Sequence, residues 1–137
     1  MNDSISTIMT TSVISITSDQ TLDVAKDILF SKRIHHLPVI KGTKLVGIIT
    51  SFDLVKINDS SNNFKNIKIK DVMTTKLAVL TPENKIGTAA EVFLENRFHG
   101  IPIVNEKESL VGIVTTHDVL MHLFDKEYPN HKLNWRS

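Results

Sequence analysis

The sequence contains no cysteine, which excludes disulfide bonds and thiolate metal sites and suits a reducing compartment. It also has no excess of either charge, because 16 basic and 15 acidic residues give a formal net charge of +1. Such a balance provides no general attraction for nucleic acid or for an anionic membrane. No apolar run has the length of a membrane-spanning helix, and residues 1–4 lack the basic start of a signal peptide. We therefore expect a soluble, cytoplasmic protein that binds neither membrane nor nucleic acid.

Glycine is scarce as well, and the five glycines form neither a phosphate-binding loop nor a dinucleotide-binding fingerprint. Serine and histidine are present without the spacing of a nucleophile and its base, so we predict no catalytic residues and no enzymatic activity. The histidine pairs His35 with His36 and His117 with His122 lack the helical i, i+4 spacing of a zinc-binding motif. Without cysteine or a nearby carboxylate cluster, we expect no metal site.

The most informative feature of the chain is an internal duplication. Residues 45–55 and residues 110–120 are identical at six positions, and most of the others exchange one apolar residue for another. The Met-Thr-Thr triplet at residue 9 recurs at residue 73, an offset of 64 that becomes 65 after the turn at residues 41–44. One inserted residue in a hairpin loop explains this step, since turns tolerate insertions. The chain therefore consists of two repeats.

Both repeats have the same predicted order of elements, read from β-branched alternation in strands and apolar spacing in helices. The first repeat is predicted to contain a strand over residues 13–17, a helix over 22–33, a strand-turn-strand unit over 37–50 and a helix over 52–57. The second is predicted to contain a strand over residues 77–80, a helix over 86–94, strands over 101–104 and 110–115, and a helix over 117–124.

The domain boundaries follow from this order of elements. Each repeat alone has a marginal size for independent folding, so we expect the two to pack as one unit. The predicted segments are a flexible N-terminus (1–7), repeat 1 (8–58), a linker (59–71), repeat 2 (72–125) and a C-terminal tail (126–137). Tyr128 and Trp135 of that tail dock either on the body of the protein or on a partner, and the sequence leaves both open.

Three motifs occur once in each repeat: a Met-Thr opening, a His-x-x-Pro-apolar-apolar strand, and an apolar-apolar-Gly-Ile-apolar-Thr-x-x-Asp run. With these motifs in two copies, the chain resembles the tandem CBS-domain pair, or Bateman module. The resemblance implies an α+β fold of two β-α-β-β-α repeats related by a pseudo-two-fold axis, with the two sheets packed together and the helices outside. It also implies a homodimer formed through those helices. Apolar positions expected to contribute, where exposed, are Leu22, Ile28, Leu29, Val92, Phe93 and Leu94.

A Thr followed three residues later by Asp occurs in each repeat, as Thr50 with Asp53 and Thr115 with Asp118. The pattern is also typical of a helix N-cap, so capping alone remains the alternative. In the family that the chain resembles, this Asp accepts hydrogen bonds from ribose hydroxyls of an adenosine ligand and the Thr helps to place ribose or phosphate. The resemblance predicts cleft 1 from Thr115 and Asp118 with Thr17, Leu37 and Val39, and cleft 2 from Thr50 and Asp53 with Thr81, Ile101 and Ile103. Taken alone, the four apolar residues of these sets are typical of a plain core, and lining a cleft would still leave them largely buried.

Histidines distinguish the two predicted clefts. Family members often carry basic residues before the Pro-containing strand, and these positions are His35 and His36 in repeat 1 but His99 and Gly100 in repeat 2. The residue before the Asp is His117 in repeat 2, where repeat 1 has phenylalanine. We therefore assign His35, His36 and His117 to cleft 1 and His99 to cleft 2. Cleft 1 should bind phosphorylated nucleotides more tightly, especially below about pH 6.5. The alternative is that these histidines are surface or structural residues.

The resemblance predicts a non-catalytic regulatory module that binds AMP, ADP, ATP or S-adenosylmethionine between the repeats and signals to an effector protein or through the dimer interface. No cofactor is required, and the adenosine compound acts as a regulatory ligand. The alternative function is an interaction or oligomerisation module with empty or structural clefts. An enzyme acting on nucleotides has the least support.

Overall fold

The structure is a computed structural model, which describes residues 1–57, 63–96 and 98–134. The first half contains a 3-10 helix (Ile5–Thr7), β1 (Ile16–Thr17), α1 (Leu22–Ser31), β2 (His36–Lys41), β3 (Lys44–Thr50) and α2 (Ser51–Ile57). The second half contains a 3-10 helix (Phe64–Asn66), α3 (Ile69–Val72), α4 (Ile86–Glu95), β4 (Gly100–Val104), β5 (Leu110–Thr115) and α5 (Thr116–Glu127). The architecture is α+β with two similar halves, as the duplication predicts.

An antiparallel hairpin forms the centre of each half. β2 pairs with β3 and β4 pairs with β5, and each hairpin has a register shift near its turn, at Val39/Ile40 and at Ile103/Val104. The first turn places Gly42 at a positive φ of 65°, a conformation that glycine adopts without strain. In the first half, β1 adds to the hairpin in parallel to β2.

The first strand predicted for each repeat is mostly absent. Of residues 13–17 only Ile16–Thr17 forms a strand, and residues 77–80 make a single parallel bridge, between Leu80 and Ile103. Both predictions are wrong in extent, because apolar alternation is compatible with an extended segment that pairs with no neighbouring strand. Val13 and Leu77 instead line cavities, and an extended segment can line a cavity without pairing with a neighbouring strand.

The segment at the start of each repeat packs on the hairpin of the other repeat. The Thr10 N–H donates to the Ile113 carbonyl of β5 at 2.9 Å, and the Thr74 N–H donates to the Ile48 carbonyl of β3 at 3.0 Å. Residues 1–7, predicted to be flexible, are also packed, because the Ile5 N–H donates to the Asn84 carbonyl at 2.8 Å. Each half of the fold is thus completed by chain from the other half of the sequence.

Two clusters of buried side chains form the core. Ile5 lies in the cluster of the second half with Ala89, and it is fully buried. Phe64 and Ile69, which belong to the segment predicted as a linker, lie in the cluster of the first half. The remaining members are Ile16, Leu22, Ala25, Leu29, Leu37, Val39, Ile49 and Leu54 in the first cluster, and Ile101, Ile103 and Val114 in the second.

The C-terminal segment folds back on the end of α5. The rings of Phe124 and Tyr128 lie 4.9 Å apart, and His131 forms a hydrogen bond with Asp125. The tail therefore contacts the protein through Tyr128, whereas Trp135 lies outside the described residues. Among the helices of the described ranges, none is both long and apolar enough to cross a membrane.

Candidate functional site

The Thr-x-x-Asp motifs begin the last helix of each half and form reciprocal capping interactions. In α5 the Thr115 N–H donates to Asp118 Oδ2 at 2.8 Å, and the Asp118 N–H donates to Thr115 Oγ1 at 3.2 Å. At the start of α2 the corresponding distances for Thr50 and Asp53 are 2.9 and 3.1 Å. The capping alternative raised by the sequence is therefore geometrically realised in both repeats.

Capping uses only part of each carboxylate. In both motifs the Oδ2 atom of Asp53 or Asp118 accepts the hydrogen bonds, and no described residue donates to the Oδ1 atom. A carboxylate oxygen has two lone pairs and can accept from a hydroxyl while its neighbour holds a backbone amide. Capping and the binding of a polyhydroxylated ligand are therefore compatible at the same side chain.

A cavity of about 470 Å³ lies beside the start of α5 and corresponds to predicted cleft 1. Its size falls within the range of roughly 300–1,000 Å³ that is typical of small-molecule sites. Asp118, predicted for cleft 1, does not line this cavity itself, but its carboxylate is hydrogen-bonded to Thr115, which does. Asp118 borders another cavity of about 480 Å³, together with residues of the N-terminal segment and α5. Cleft 1 is lined by Thr10, Ser12, Val13, Ile14, Arg33, Ile34, His35, His36, Pro38, His99, Ile113, Thr115, Thr116 and His117.

A smaller cavity of about 180 Å³ lies at the equivalent place beside α2 and corresponds to predicted cleft 2. Asp53 borders this cavity directly, but the volume falls below the typical range for a small-molecule site. The two clefts are therefore unequal in size. Cleft 2 is lined by His36, Ile48, Thr50, Asp53, Thr74, Lys76, Leu77, Ala78, Phe98, Gly100 and Pro102.

A third cavity of about 610 Å³, which we call the central cavity, adjoins both clefts. Its lining includes His35, His36 and His99, all of which also line cleft 1. Thr50 and Phe98 line both the central cavity and cleft 2. The remaining lining residues are Ser51 and Phe52.

Several of the predicted site residues lie at their expected clefts, and others do not. Thr115, His35, His36 and His117 line cleft 1, whereas His99, predicted for cleft 2, lines cleft 1 and the central cavity. Thr50 and Asp53 line cleft 2. Thr17 and Thr81 instead form hydrogen bonds with Gln20 and Asn84, in the turns before α1 and α4. Fully buried among the core side chains are Leu37, Val39, Ile101 and Ile103.

Strand geometry explains why the apolar predictions miss the cavity linings. Successive side chains of a strand point to opposite faces, so neighbours of a core residue face the other way. In β2 Leu37 and Val39 face the core, and Pro38 lines cleft 1. In β4 the equivalent Pro102 lines cleft 2. Both prolines belong to the repeated motif and were visible in the sequence. An apolar run, however, does not indicate which of its residues face the core and which face a cavity.

Sequence reasoning did not place the Met-Thr motifs and the residues that follow them in the cavity linings. Thr10 and Val13 line cleft 1, and the equivalent residues Thr74 and Leu77 line cleft 2. The recurrence of Met-Thr-Thr was a usable signal, because the triplet is repeated outside the predicted helices and strands. Lys76 adds a cation to cleft 2 that repeat 1 replaces with serine.

His36 occupies a position between the two clefts. Its ring lies against the backbone of Gly100, where an added Cβ atom would lie 3.1 Å from the imidazole Cγ. Burial lowers the pKa of His36, and the neighbouring His35 and His99 lower it further. Because β4 has glycine at the equivalent position, a single imidazole lines cleft 1, cleft 2 and the central cavity.

The histidines do not converge as metal ligands. Within residues 1–57, 63–96 and 98–134, no group of three or more His, Cys, Asp or Glu side chains could hold a metal ion. His35 Nδ1 lies 3.3 Å from the Oγ atom of Ser51, within hydrogen-bond distance. The imidazoles of His35, His36 and His99 therefore line a cavity and do not surround a single metal-ion position.

Comparison with known proteins identifies the family. The sequence model of the CBS domain matches twice, over residues 5–59 and 69–125. Protein MJ1225 from Methanocaldococcus jannaschii superposes with a TM-score of 0.83 at 26% identity, covering 89% of this chain and 48% of that chain. The CBS domain pair of protein MJ0100, solved with 5-methylthioadenosine and S-adenosyl-L-methionine, superposes at 0.75 with 30% identity, covering 88% and 98%. The chain belongs to the CBS domain family and contains two CBS domains in tandem.

Relatives of known name carry this module as a minor part. Inosine-5'-monophosphate dehydrogenase from Thermoplasma acidophilum is 33% identical over 115 residues, which are 83% of this chain and 22% of the dehydrogenase. Homoserine O-acetyltransferase from Methanococcoides burtonii is 31% identical over 117 residues, which are 85% of this chain and 23% of that enzyme. The chain thus spans less than a quarter of the length of either enzyme, and the likeness concerns the CBS pair.

Proposed function

We propose that this chain is a non-catalytic regulatory module that binds an adenosine-containing ligand in cleft 1. The observation that carries the proposal is the capping carboxylate of Asp118, which is hydrogen-bonded through Oδ2 to Thr115 of the cleft lining and leaves Oδ1 for ribose hydroxyls. Apolar side chains of cleft 1, among them Val13, Ile14 and Ile113, fit the faces of a purine. The CBS pair of MJ0100, which is 30% identical, was solved with two adenosine compounds, and this supports the same ligand class here.

Binding would act by stabilising one arrangement of the two repeats. Cleft 1 is lined by residues of both halves, such as Pro38 of β2 and Ile113 of β5. A ligand that contacts both halves favours the arrangement in which both are correctly placed, and only that differential affinity shifts a population. The output then passes to an effector protein or to a second copy of the chain.

Isothermal titration calorimetry with adenosine and AMP tests this proposal with a closely matched pair of variants. Asp118→Asn keeps an oxygen that can cap α5 and replaces the free acceptor with an N–H donor, so we expect at least a tenfold loss of affinity. Asp53→Asn makes the same change in cleft 2 and should leave the first binding event intact. Equal affinity in wild type and Asp118→Asn would contradict the assignment of the ribose to this carboxylate.

The homodimer is proposed to form through α2 and α5. Val55 and Leu120, which are equivalent positions in the two repeats, have exposed fractions of 71% and 63%. Two equivalent apolar positions make a self-complementary face for a second copy related by two-fold symmetry. The earlier candidates Leu22 and Leu29 are buried in the core and cannot contribute, whereas Leu94 of α4 is exposed.

Sedimentation analysis distinguishes the two helical faces. Leu120→Glu should convert the dimer to a monomer, because an unpaired charge would be buried at the interface. Leu94→Glu places the same charge on α4 and should leave the dimer intact. A dimer that survives Leu120→Glu and dissociates with Leu94→Glu would move the interface to the other pair of helices.

The alternative function is an interaction module whose clefts bind no ligand. One observation favours it, and that observation concerns cleft 2 only. Its volume of about 180 Å³ is below the range for a small-molecule site. A protein that dimerises and binds none of the adenosine compounds would support this alternative for both clefts.

A further inference from the structure

The thioethers of methionine are the most readily oxidised side chains of this protein, because the sequence contains four methionines and no cysteine. Met1, Met9, Met73 and Met121 are all partly exposed, so a small oxidant has access to each residue. A hydroperoxide converts methionine to its sulfoxide, and methionine sulfoxide reductases reverse the reaction. The effect of a sulfoxide then depends on what each side chain packs against.

Met9 and Met73 occupy closely packed positions where one repeat meets the other. A Cβ atom added to Gly47 would lie 2.5 Å from Sδ and 2.8 Å from Cγ of Met73. A Cβ atom added to Gly112 would lie 2.8 Å from Sδ and 3.2 Å from Cγ of Met9. Each sulfur therefore fills the space that the glycine leaves open. Both side chains also pack against the buried cluster of one half of the fold.

An additional oxygen atom on either sulfur has no suitable place in this packing. The Thr74 carbonyl oxygen lies 3.0 Å from the Cβ position above Gly47, and the Thr10 carbonyl oxygen lies 3.1 Å from the one above Gly112. A sulfoxide oxygen accepts hydrogen bonds and donates none, so it cannot pair with a carbonyl oxygen. Because protein interiors are close-packed, the oxidised side chain has to move away from the glycine.

Movement of the methionine affects the backbone pairing of the residue that follows it. Thr10 and Ile113 exchange two hydrogen bonds, of 2.9 Å from the Thr10 N–H and 3.0 Å from the Ile113 N–H. Thr74 and Ile48 exchange two in the same way, both of 3.0 Å. These bonds join the start of each repeat to the hairpin of the other. Thr10 also lines cleft 1 and Thr74 lines cleft 2, so loss of the pairing changes both cavity linings.

We propose that Met9 and Met73 are reversible oxidation sites, at which a hydroperoxide loosens the contact between the two repeats. With hydrogen peroxide, the sulfur forms a bond to one peroxide oxygen and the O–O bond breaks. The proton of the transferred oxygen passes to the departing hydroxide, which leaves as water. The sulfur is oxidised by two electrons and the peroxide is reduced by two. The inference is independent of the proposed function, because it requires no bound ligand.

Hydrogen exchange of the full chain, measured by NMR before and after treatment with hydrogen peroxide, tests the inference. Peptide mass spectrometry locates the sulfoxides. We expect the amides of Ile48 and Ile113 to exchange about tenfold faster after oxidation, since their acceptors are the threonine carbonyls beside the oxidised residues. Amides inside α1 and α4 report on global unfolding and should change much less.

Matched variants identify the methionines that cause the effect. Leucine conserves the volume of methionine and has no sulfur, so Met9→Leu combined with Met73→Leu should abolish the response to peroxide. Met121→Leu, which removes a thioether from α5, should retain the full response. The two methionine sulfoxide reductases, one for each sulfoxide epimer, should restore the original exchange rates of the oxidised wild-type protein. This last measurement needs no variant and holds even where the double substitution disturbs folding.

Three results would overturn the inference. The first is oxidation of Met1 and Met121 under conditions that leave Met9 and Met73 unmodified. The second is complete oxidation of Met9 and Met73 with unchanged exchange at Ile48 and Ile113. The third is faster exchange that persists after reduction of both sulfoxides, or that also occurs in the double leucine variant, because another lesion would then be its cause.

Discussion

The side chain of Met73 fills the space above Gly47 of β3, where an added Cβ atom would lie 2.5 Å from the methionine Sδ. Met9 stands in the same relation to Gly112 of β5, where an added Cβ atom would lie 2.8 Å from its Sδ. The Met-Thr motif of one repeat and the Gly-Ile motif of the other are therefore two sides of one contact. This exchange of segments explains why the two motifs recur together and why the halves form one unit.

Replacing Gly47 with alanine should weaken the packing of the Met73 segment on β3. Gly47→Ala introduces a methyl group into the position of the Met73 side chain and lies 3.0 Å from the Thr74 carbonyl oxygen. Because thioether side chains can shift but backbone cannot shift freely, we expect a loss of about 1–3 kcal/mol in the free energy of unfolding, measured by urea denaturation. In a double-mutant cycle with Met73→Ala, the combined cost should be smaller than the sum of the single costs. Strict additivity would contradict the contact.

Shortening the buried side chain of Ile5 in the N-terminal segment should destabilise the second half of the fold. Ile5 is fully buried with Ala89 and Ile101, so Ile5→Ala should cost about 2–5 kcal/mol in the free energy of unfolding. Leu94→Ala, at a side chain that is 87% exposed, serves as the control and should change stability by no more than about 0.5 kcal/mol. Equal effects of the two substitutions would mean that residues 1–7 do not contribute to the core.

The capping function of the site carboxylate can be measured apart from ligand binding. Asp118→Ala removes the acceptor of the Thr115 N–H and should lower the unfolding free energy by about 1 kcal/mol, because cap losses cost roughly 0.5–2 kcal/mol. Asp118→Asn retains an acceptor there and should cost less. Thermal unfolding of the three proteins without ligand gives the comparison, and an Asn variant as unstable as the Ala variant would contradict the proposed geometry.

The stability of the unliganded protein should decline on acidification. Because burial lowers the pKa of His36, the unfolded chain binds more protons than the folded one once pH falls toward 6.5, so stability rises with pH through this window. Urea denaturation between pH 5 and 8 should give a positive slope that is smaller in His36→Gln. A slope that is identical in wild type and His36→Gln would show that this imidazole is not the cause.

The duplication allowed much of the fold to be predicted. The hairpins around Pro38 and Pro102 and the helices after Thr50 and Thr115 lie where the repeated motifs placed them, because these motifs combine strand, turn and cap signals in one short stretch. The exchange of Met9 and Met73 between halves was not predictable, since local periodicity contains no information on which distant sheet a segment joins.

The candidate site was predicted only in part, because the sequence identifies polar motif residues but not the tertiary position of apolar ones. Polar residues at helix starts, such as Thr115 and Asp53, have a chemical signature, and they border the cavities. Leu37 and Val39 have none that distinguishes a cavity wall from a core, and the strand turned them inward. His99 borders cleft 1 and not cleft 2 because the histidine-bearing ends of β2 and β4 meet at the central cavity, a tertiary relationship.

The most direct test of the account is the shift in unfolding temperature that adenosine, AMP, ADP and ATP produce in wild type, Asp118→Asn and Asp53→Asn. At about 100 times its dissociation constant a ligand stabilises the folded state by roughly 2.7 kcal/mol, which is readily measured. A clear rise is expected in wild type and Asp53→Asn, and the tenfold or greater loss of affinity in Asp118→Asn should reduce it to about half or less. No rise with any of the four compounds, in a protein that is otherwise folded, would contradict it.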